Sequence, residues 1–534
     1  MNQRAVRTAR TKMLARSLSD WDKPGRRAAS QPGVIWIAAP FVILGFLAVL
    51  VITSLAIRHG LAVAILALLA VPVLLISLVV GLRRAVGFLR TLAAHLRWWH
   101  VLWMLIFASA LVFRVRGVNE IQESPIDAWA LYRIGLEAIV TLALLTRLAL
   151  RRTEWFGSMF RGFIGVLAAF GLIELASTIW SVFPAWTLYK SCEYLLDVAL
   201  LAAIVATLKS VEDCRHFFNW TWTLYGLLLI SVWLGVLLWP QQALYPNGKN
   251  VGVGILGVRL AGVLPAVSSN DVGTFAAILA LIALCRLLPL DRNKSDRTWY
   301  ILLLTAAMAT MVLSQTRSAI AGFLLGLFLL LLFSKRLGLS AFLTFVVAPI
   351  LVASSVGGLI WSFLERGQDV QQLETLSSRV DWWSFAWQKF LQRPLTGYGA
   401  YAGGRFAVMA QLGNSTTSTM HSDYLEMIVG TGIWGLIPFL VALVGTWWFL
   451  TRYLRHSTAV SADQQLAYEA VAVLGLLTLR SIVMTMLTWH PPLDYFVILG
   501  YAEFLRRRRL REAPVPVHVI KDDVSEYEAV ASGA

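Results

Sequence analysis

Residues 421–426 read His-Ser-Asp-Tyr-Leu-Glu, and the chain runs on directly into MIVGTGIWGLIPFLVALVGTWWFL, residues 427–450. An uncharged apolar run of this kind meets the requirement of about 20 residues for a helix that crosses a bilayer. Asp423 and Glu426 have the spacing of a helix cap and its capping-box partner. The pattern predicts a helix over about 425–450, with His421 at or just before its N-terminus. Ahead of it, from about Glu365 to Glu426, lies the longest polar interruption of the chain.

Similar apolar runs recur from end to end. Of the 534 residues, 58% are hydrophobic and 14% charged, where a soluble domain carries about 25% charge. The fold class expected is all-α: a polytopic transmembrane helix bundle with a large loop carrying short helices. About fourteen spans can be placed, near 34–57, 61–82, 98–113, 129–150, 162–183, 187–208, 218–239, 272–290, 299–314, 319–333, 340–363, 425–450, 465–488 and 492–505. Residues 1–33 are a basic tail and residues 506–534 a polar one. The first apolar run is too long for a signal-peptide core and lacks a small-residue cleavage site, so it reads as a retained helix.

A net charge of +16 could point to nucleic acid. In a membrane protein it has a simpler cause, because Lys and Arg collect in cytoplasmic loops. With the basic N-terminus inside, nearly every later basic cluster also falls inside, and both termini are cytoplasmic. The loops at about 240–271 and 365–424 then lie outside. The 22 tryptophans crowd near span ends, as an interfacial belt requires. The three cysteines, Cys192, Cys214 and Cys285, are far apart and define neither a disulfide framework nor a metal site.

The informative residues are the basic ones on the outer side: Arg259, Arg317, Arg379, Arg393 and Arg405. Arg317 sits in a turn of a few residues between two apolar runs, where a polar cavity is the natural destination of a guanidinium. Several arginines at one membrane surface suit a lipid-linked phosphate or diphosphate, which Arg binds through planar, paired hydrogen bonds. Snorkelling to lipid headgroups explains a single such arginine equally well. For His421, a helix N-terminus and nearby arginines disfavour the imidazolium, and a neutral imidazole is what a general base requires. A local loop hydrogen bond is the plainer use of such a histidine. Glu137, Glu174, Glu193, Asp197 and Arg480 fall inside expected spans and read either as functional groups or as packed structural pairs.

A phosphate-binding glycine loop, an HExxH motif, paired Cys/His ligands and an outer Asp-x-Asp pair are all missing from the sequence. The expectation is an ATP-independent, metal-independent protein without cofactors.

Three segments, in order, resemble the O-antigen ligase and exopolysaccharide polymerase superfamily of bacterial membrane proteins. They are Arg259-Leu260-Ala261-Gly262 followed by Asn270; Leu313-Ser314-Gln315-Thr316-Arg317-Ser318-Ala319; and Ser378-Arg379 through Trp383 and Pro394-Leu395-Thr396-Gly397-Tyr398-Gly399 to His421–Glu426 and Gly430, Gly432 and Gly435. Ile179-Trp180-Ser181 with Pro184 is similar to an upstream feature of the same family. The resemblance covers roughly 160–500, and it departs from the family at Ser422, where members often carry Asn.

The resemblance implies glycosyl transfer at the periplasmic face of the inner membrane. The donor would be an undecaprenyl-diphosphate-linked glycan, and the acceptor a glycan or lipid A-core. Arg259 and Arg317 would hold the diphosphate, and His421 would take the proton of the acceptor hydroxyl. Arg379, Arg393 and Arg405 would serve as further phosphate or sugar ligands, with Asn270, Asp423 and Glu426 as secondary candidates. The bilayer and other polysaccharide assembly proteins are the expected partners, and nucleic acid is not one. Polymerase and ligase differ only in acceptor, so the residues leave both open. From a different class, a transporter or flippase for lipid-linked oligosaccharide also suits about fourteen helices. It would place its critical charges near the bilayer midplane.

Overall fold

The computed structural model describes residues 86–87, 90, 96–111, 116–124, 126–150, 154–246, 258–287, 297–334, 379–414, 419–456 and 462–512. All of these lie in the second of the two units into which the chain divides, Arg83–Ala534. The expected spans at 34–57, 61–82 and 340–363, both terminal tails, and most of the turn at Pro246-Asn247-Gly248 fall outside the described residues.

The described chain is helical apart from one small ribbon. The elements are α1 (Trp98–Ala110), α2 (Val118–Glu123), α3 (Ala128–Ala149), α4 (Glu154–Met159), α5 (Gly162–Ala176) with a 3₁₀ turn at Ser177–Trp180, α6 (Pro184–Thr207), α7 (Val211–Leu238) and α8 (Pro240–Ala243). Strands β1 (Leu244–Pro246) and β2 (Val258–Leu260) pair antiparallel, with Tyr245 opposite Arg259. Then come α9 (Ser269–Leu287), α10 (Arg297–Ser314), α11 (Arg317–Phe333), α12 (Arg379–Gln392), a π-helical turn at Gly403–Met409, α13 (Asp423–His456), α14 (Ala462–Arg480) and α15 (Leu493–Glu512). Six helices are long and apolar enough to cross a membrane: Ala128–Ala149, Gly162–Trp180, Val211–Leu238, Ser269–Leu287, Arg297–Ser314 and Asp423–His456. The protein is a multi-pass membrane protein built on helices.

Every expected span within the described residues meets a helix, but several boundaries move. The helix expected from 218 starts at Val211, because Ser210 and Asp213 form a capping box across that polar turn. The helix expected from 187 starts at Pro184, which sits at the first position, where its missing N–H costs nothing. The helix expected to reach 488 ends at Arg480. The segment after it stays irregular because its backbone N–H groups are turned toward the Asp423 carboxylate.

α9 is among the most enclosed helices. Ala276, Ala277, Ile278, Ala280 and Leu281 are fully buried, and α7, α10, α11 and α14 pack around it. Small residues let the backbones approach closely, the usual means of helix association in lipid. Gly273 shows this at one point, since a Cβ there would meet Ser314 Oγ at 2.6 Å and Thr316 Oγ1 at 2.7 Å. On the other side, α13 packs on α5, and α5 on α6.

The loop between α12 and α13 carries its own small core of Ala386, Phe390, Tyr398, Ala407, Val408, Met409, Met420, Ile428 and Val429. It is stitched to a kink in α13. Gly432 there has φ +64°, ψ −156°, a conformation open only to glycine at low cost. Tyr398 and Gly399 donate their N–H groups to the carbonyls of Val429 and Gly430, both at 2.8 Å, and Ile433 donates to Pro394 at 2.9 Å. The upstream Ile179-Trp180-Ser181 feature closes the other side: Trp180 Nε1 donates to the Thr396 carbonyl at 2.8 Å and Val182 to that of Tyr398 at 2.9 Å.

Candidate active site

Arg259 and Arg317 come together at the N-terminus of α9. Ribbon register places Arg259 on β2, and its Nη2 donates to Ser269 Oγ at 2.7 Å. Arg317 opens α11 after a tight turn in which Gln315 takes φ +51°. That turn is fastened to the same helix end, since Thr316 Oγ1 donates to the Ser269 carbonyl at 2.9 Å. The two guanidinium groups are close enough to repel one another. A helix N-terminus with two arginines is a natural anion site.

His421 lies immediately before α13 and also takes a left-handed backbone, φ +56°. Non-glycine residues held in this region cluster at functional positions; among the described residues only Gln315, Tyr401 and His421 do so. The imidazole lies beside the Trp382 ring, with centroids 6.1 Å apart. Its Nδ1 is buried and accepts or donates no hydrogen bond. Burial, and then the charge of Arg379, pull its pKa down to about 4. The imidazole is therefore neutral at physiological pH, the state a general base needs.

Arg379 opens α12, and its Nη1 donates to the Val483 carbonyl at 3.0 Å. Burial pulls its pKa below the usual arginine value. Arg393 is exposed and stacks over Tyr398, 4.8 Å from the ring centroid. Arg405 is placed elsewhere. It is buried, donates to the Arg116 carbonyl at 2.5 Å and lies over the Trp186 ring at 4.9 Å. Burial and the Arg116 charge bring its pKa down to about 10. Asn270 offers its carbonyl to Arg480 Nη1 at 3.2 Å.

Asp423 and Glu426 do not form the expected capping box. The Asp423 carboxylate is fully buried and accepts from the N–H groups of Met486, Leu487 and Thr488 and from the Thr488 hydroxyl. Glu426 reaches back to the Met420 N–H. Long-range donors draw Asp423 away from the helix end, and Glu426 is taken by a loop amide six residues before it. Glu426 also lines a small cavity with Glu174, Tyr401, Met427, Thr488 and Trp489.

Of the charged residues expected inside spans, Glu137, Glu193 and Asp197 belong to a separate network, while Glu174 accepts from the Tyr401 hydroxyl. Glu193 accepts from Arg133 at 2.7 Å and from Lys190 at 2.5 Å, and His490 Nδ1 meets Asp197 at 2.7 Å. Glu137, Glu193 and His490 offer ligand atoms within 4.8 Å of one another, a spacing that could hold a metal ion, although Glu193 already has two cationic partners. Arg480 joins none of these carboxylates; among the described residues its one hydrogen bond is to the Asn270 backbone, which no side-chain pattern could have announced.

Residues 300–440 match the O-Antigen ligase family model. A search of curated proteins finds no match to the chain. The matched segment contains Arg317, Arg379, Arg393, Arg405, His421, Asp423 and Glu426, and over those residues the match supports the resemblance to the O-antigen ligase and polymerase superfamily.

Proposed function

We propose that the protein transfers a glycan from undecaprenyl diphosphate to a sugar hydroxyl at the periplasmic face of the bacterial inner membrane, as a polymerase or a ligase of surface polysaccharide. The observation that carries this reading is the O-Antigen ligase match, which includes both Arg317 and a neutral, half-buried His421. In the reaction the acceptor oxygen attacks the anomeric carbon. His421 takes the hydroxyl proton as the bond forms. The bond from the anomeric carbon to the phosphate oxygen breaks, and the diphosphate leaves with the electron pair. Arg259 and Arg317 offset the charge that grows on it, the kind of preorganised stabilisation worth about 3–4 kcal/mol per donor. Cleavage of the glycosyl–diphosphate bond, with the diphosphate as a stable leaving group, supplies the driving force, so the reading needs neither nucleotide nor metal.

The test is glycan analysis after Arg317→Ala and His421→Ala. Each variant is expected to abolish transfer with normal protein level, and full activity in both would defeat the assignment. Accumulation of single-repeat glycans on deletion of the gene favours the polymerase. Long lipid-linked chains with none on lipid A-core favour the ligase.

The buried Arg133, Lys190, Glu193, Asp197 and His490 network favours one other reading, a flippase for lipid-linked oligosaccharide, since transporters keep critical charges within the bilayer. Product formation by purified protein in detergent, with no closed membrane, excludes pure transport.

A further inference from the structure

Resting on that reading, we infer that Arg480 is a positioning residue for the diphosphate arginines, and that the strap Arg480–Thr488 sets their register against His421. The strap touches both halves of the site. At its start, Arg480 Nη1 donates to the Asn270 carbonyl at 3.2 Å. The preceding residue, Ser269, receives Arg259 on its hydroxyl and Thr316 on its carbonyl. The first two residues of α9 are thus held from β2, from the turn before Arg317 and from the end of α14. In its middle, the strap accepts Arg379 on the Val483 carbonyl and the Asp423 N–H on the Ser481 carbonyl, at 3.0 and 2.9 Å. At its far end, Met486, Leu487 and Thr488 grip the Asp423 carboxylate, two residues from His421.

Arg480 is an expensive residue to keep for packing alone. Its side chain is fully buried, and among the described residues Nε and Nη2 have no hydrogen-bond partner. Asp271, Asp494 and Arg379 are its charged neighbours, none of the carboxylates within ion-pair distance among the described residues. A buried guanidinium with unfilled donors costs several kcal/mol, and such a cost persists where a group has a task beyond stability. Here the task is orientation. The single side-chain bond to Asn270 fixes the helix end to which Arg259 and the turn before Arg317 are fastened.

The test is binding of undecaprenyl diphosphate to the purified full chain in detergent, beside thermal stability. Arg480→Gln is expected to weaken binding about tenfold. Arg480→Lys, which keeps one charged donor, should recover at least a third of the affinity. Thr488→Val, at the other end of the strap, should bind undecaprenyl diphosphate within twofold of the parent while lowering glycan transfer in cells. Wild-type binding by Arg480→Gln would overturn the inference, as would an equal loss with Thr488→Val. Failure of both Arg480 variants to accumulate, with Arg317→Ala accumulating normally, would assign Arg480 to folding and overturn it too. Arg317→Ala is also the control on the functional reading: if it binds undecaprenyl diphosphate as the parent does, that reading fails rather than the role of Arg480.

Discussion

Asp423 accepts both the N–H and the hydroxyl of Thr488, at 3.2 and 2.7 Å, and so joins the start of one long helix to the irregular end of another. With Met486 and Leu487 also donating, four donors converge on one buried carboxylate. Asp423→Ala would leave all four unpaired, at a cost on the order of 3 kcal/mol or more. The expected outcome is a lowered thermal transition of the purified protein together with loss of transfer. An unchanged transition would show that the strap is held by other means.

The pH response of transfer follows from His421. Its pKa is lowered to about 4, so the base is neutral above that value and is lost as pH falls through it. Activity should stay flat from about pH 5 to 8, with no inflection near the ordinary histidine value of about 6.5. Arg379→Gln removes the second cause of the depression and should move the acid limb upward. A rate profile of purified enzyme, corrected for stability, reads both; an inflection near 6.5 in the parent would count against a buried base.

Two glycines should respond oppositely to alanine. At Gly432 a Cβ would lie 2.3 Å from the Leu395 carbonyl oxygen, and φ is +64°. Gly432→Ala should cost at least 1–2 kcal/mol, roughly the penalty of a forced left-handed residue before any clash. At Gly226, inside α7, a Cβ meets nothing within 4 Å. Gly226→Ala should be neutral or stabilise by about 0.5–1 kcal/mol. Thermal melts of the two variants in detergent check the pair.

Sidedness has its own test. In a cysteine-free background, Leu264→Cys and Gly413→Cys, at exposed positions near the candidate site, should react with a membrane-impermeant maleimide added to the periplasmic side. Arg511→Cys should react only after the membrane is opened. Labelling of Leu264→Cys and Gly413→Cys from opposite sides would separate the two halves of the candidate site.

What the sequence made legible was set by scale. Apolar runs as long as 427–450 announce a helix whatever surrounds them, and α13 starts within two residues of its expected place. The end of α14 was not legible: apolar residues continue past Arg480, but their N–H groups serve Asp423 instead of the helix ladder. Asp423 misled for the same reason, because a local spacing cannot reveal a distant donor such as Thr488, and Glu426 turns instead to the nearby Met420 amide. Arg259 and Arg317 are legible from their place in the chain order, and the structure adds Ser269, which binds Arg259 and the Thr316 hydroxyl next to Arg317. The ribbon that carries Arg259 is three residues a side, too short for alternation to show.

The stitch between α13 and the Pro394–Gly399 segment also bears on how the protein opens. Val429 and Gly430 have given their carbonyls to the loop, and Pro394 has received the amide of Ile433 in return. Neither partner can loosen without exposing the other's backbone. The amides of Tyr398, Gly399 and Ile433 should therefore exchange with deuterium at a common rate, as one cooperative unit, and any swing of this loop that admits a bulky glycan must bend the upper third of α13 along with it.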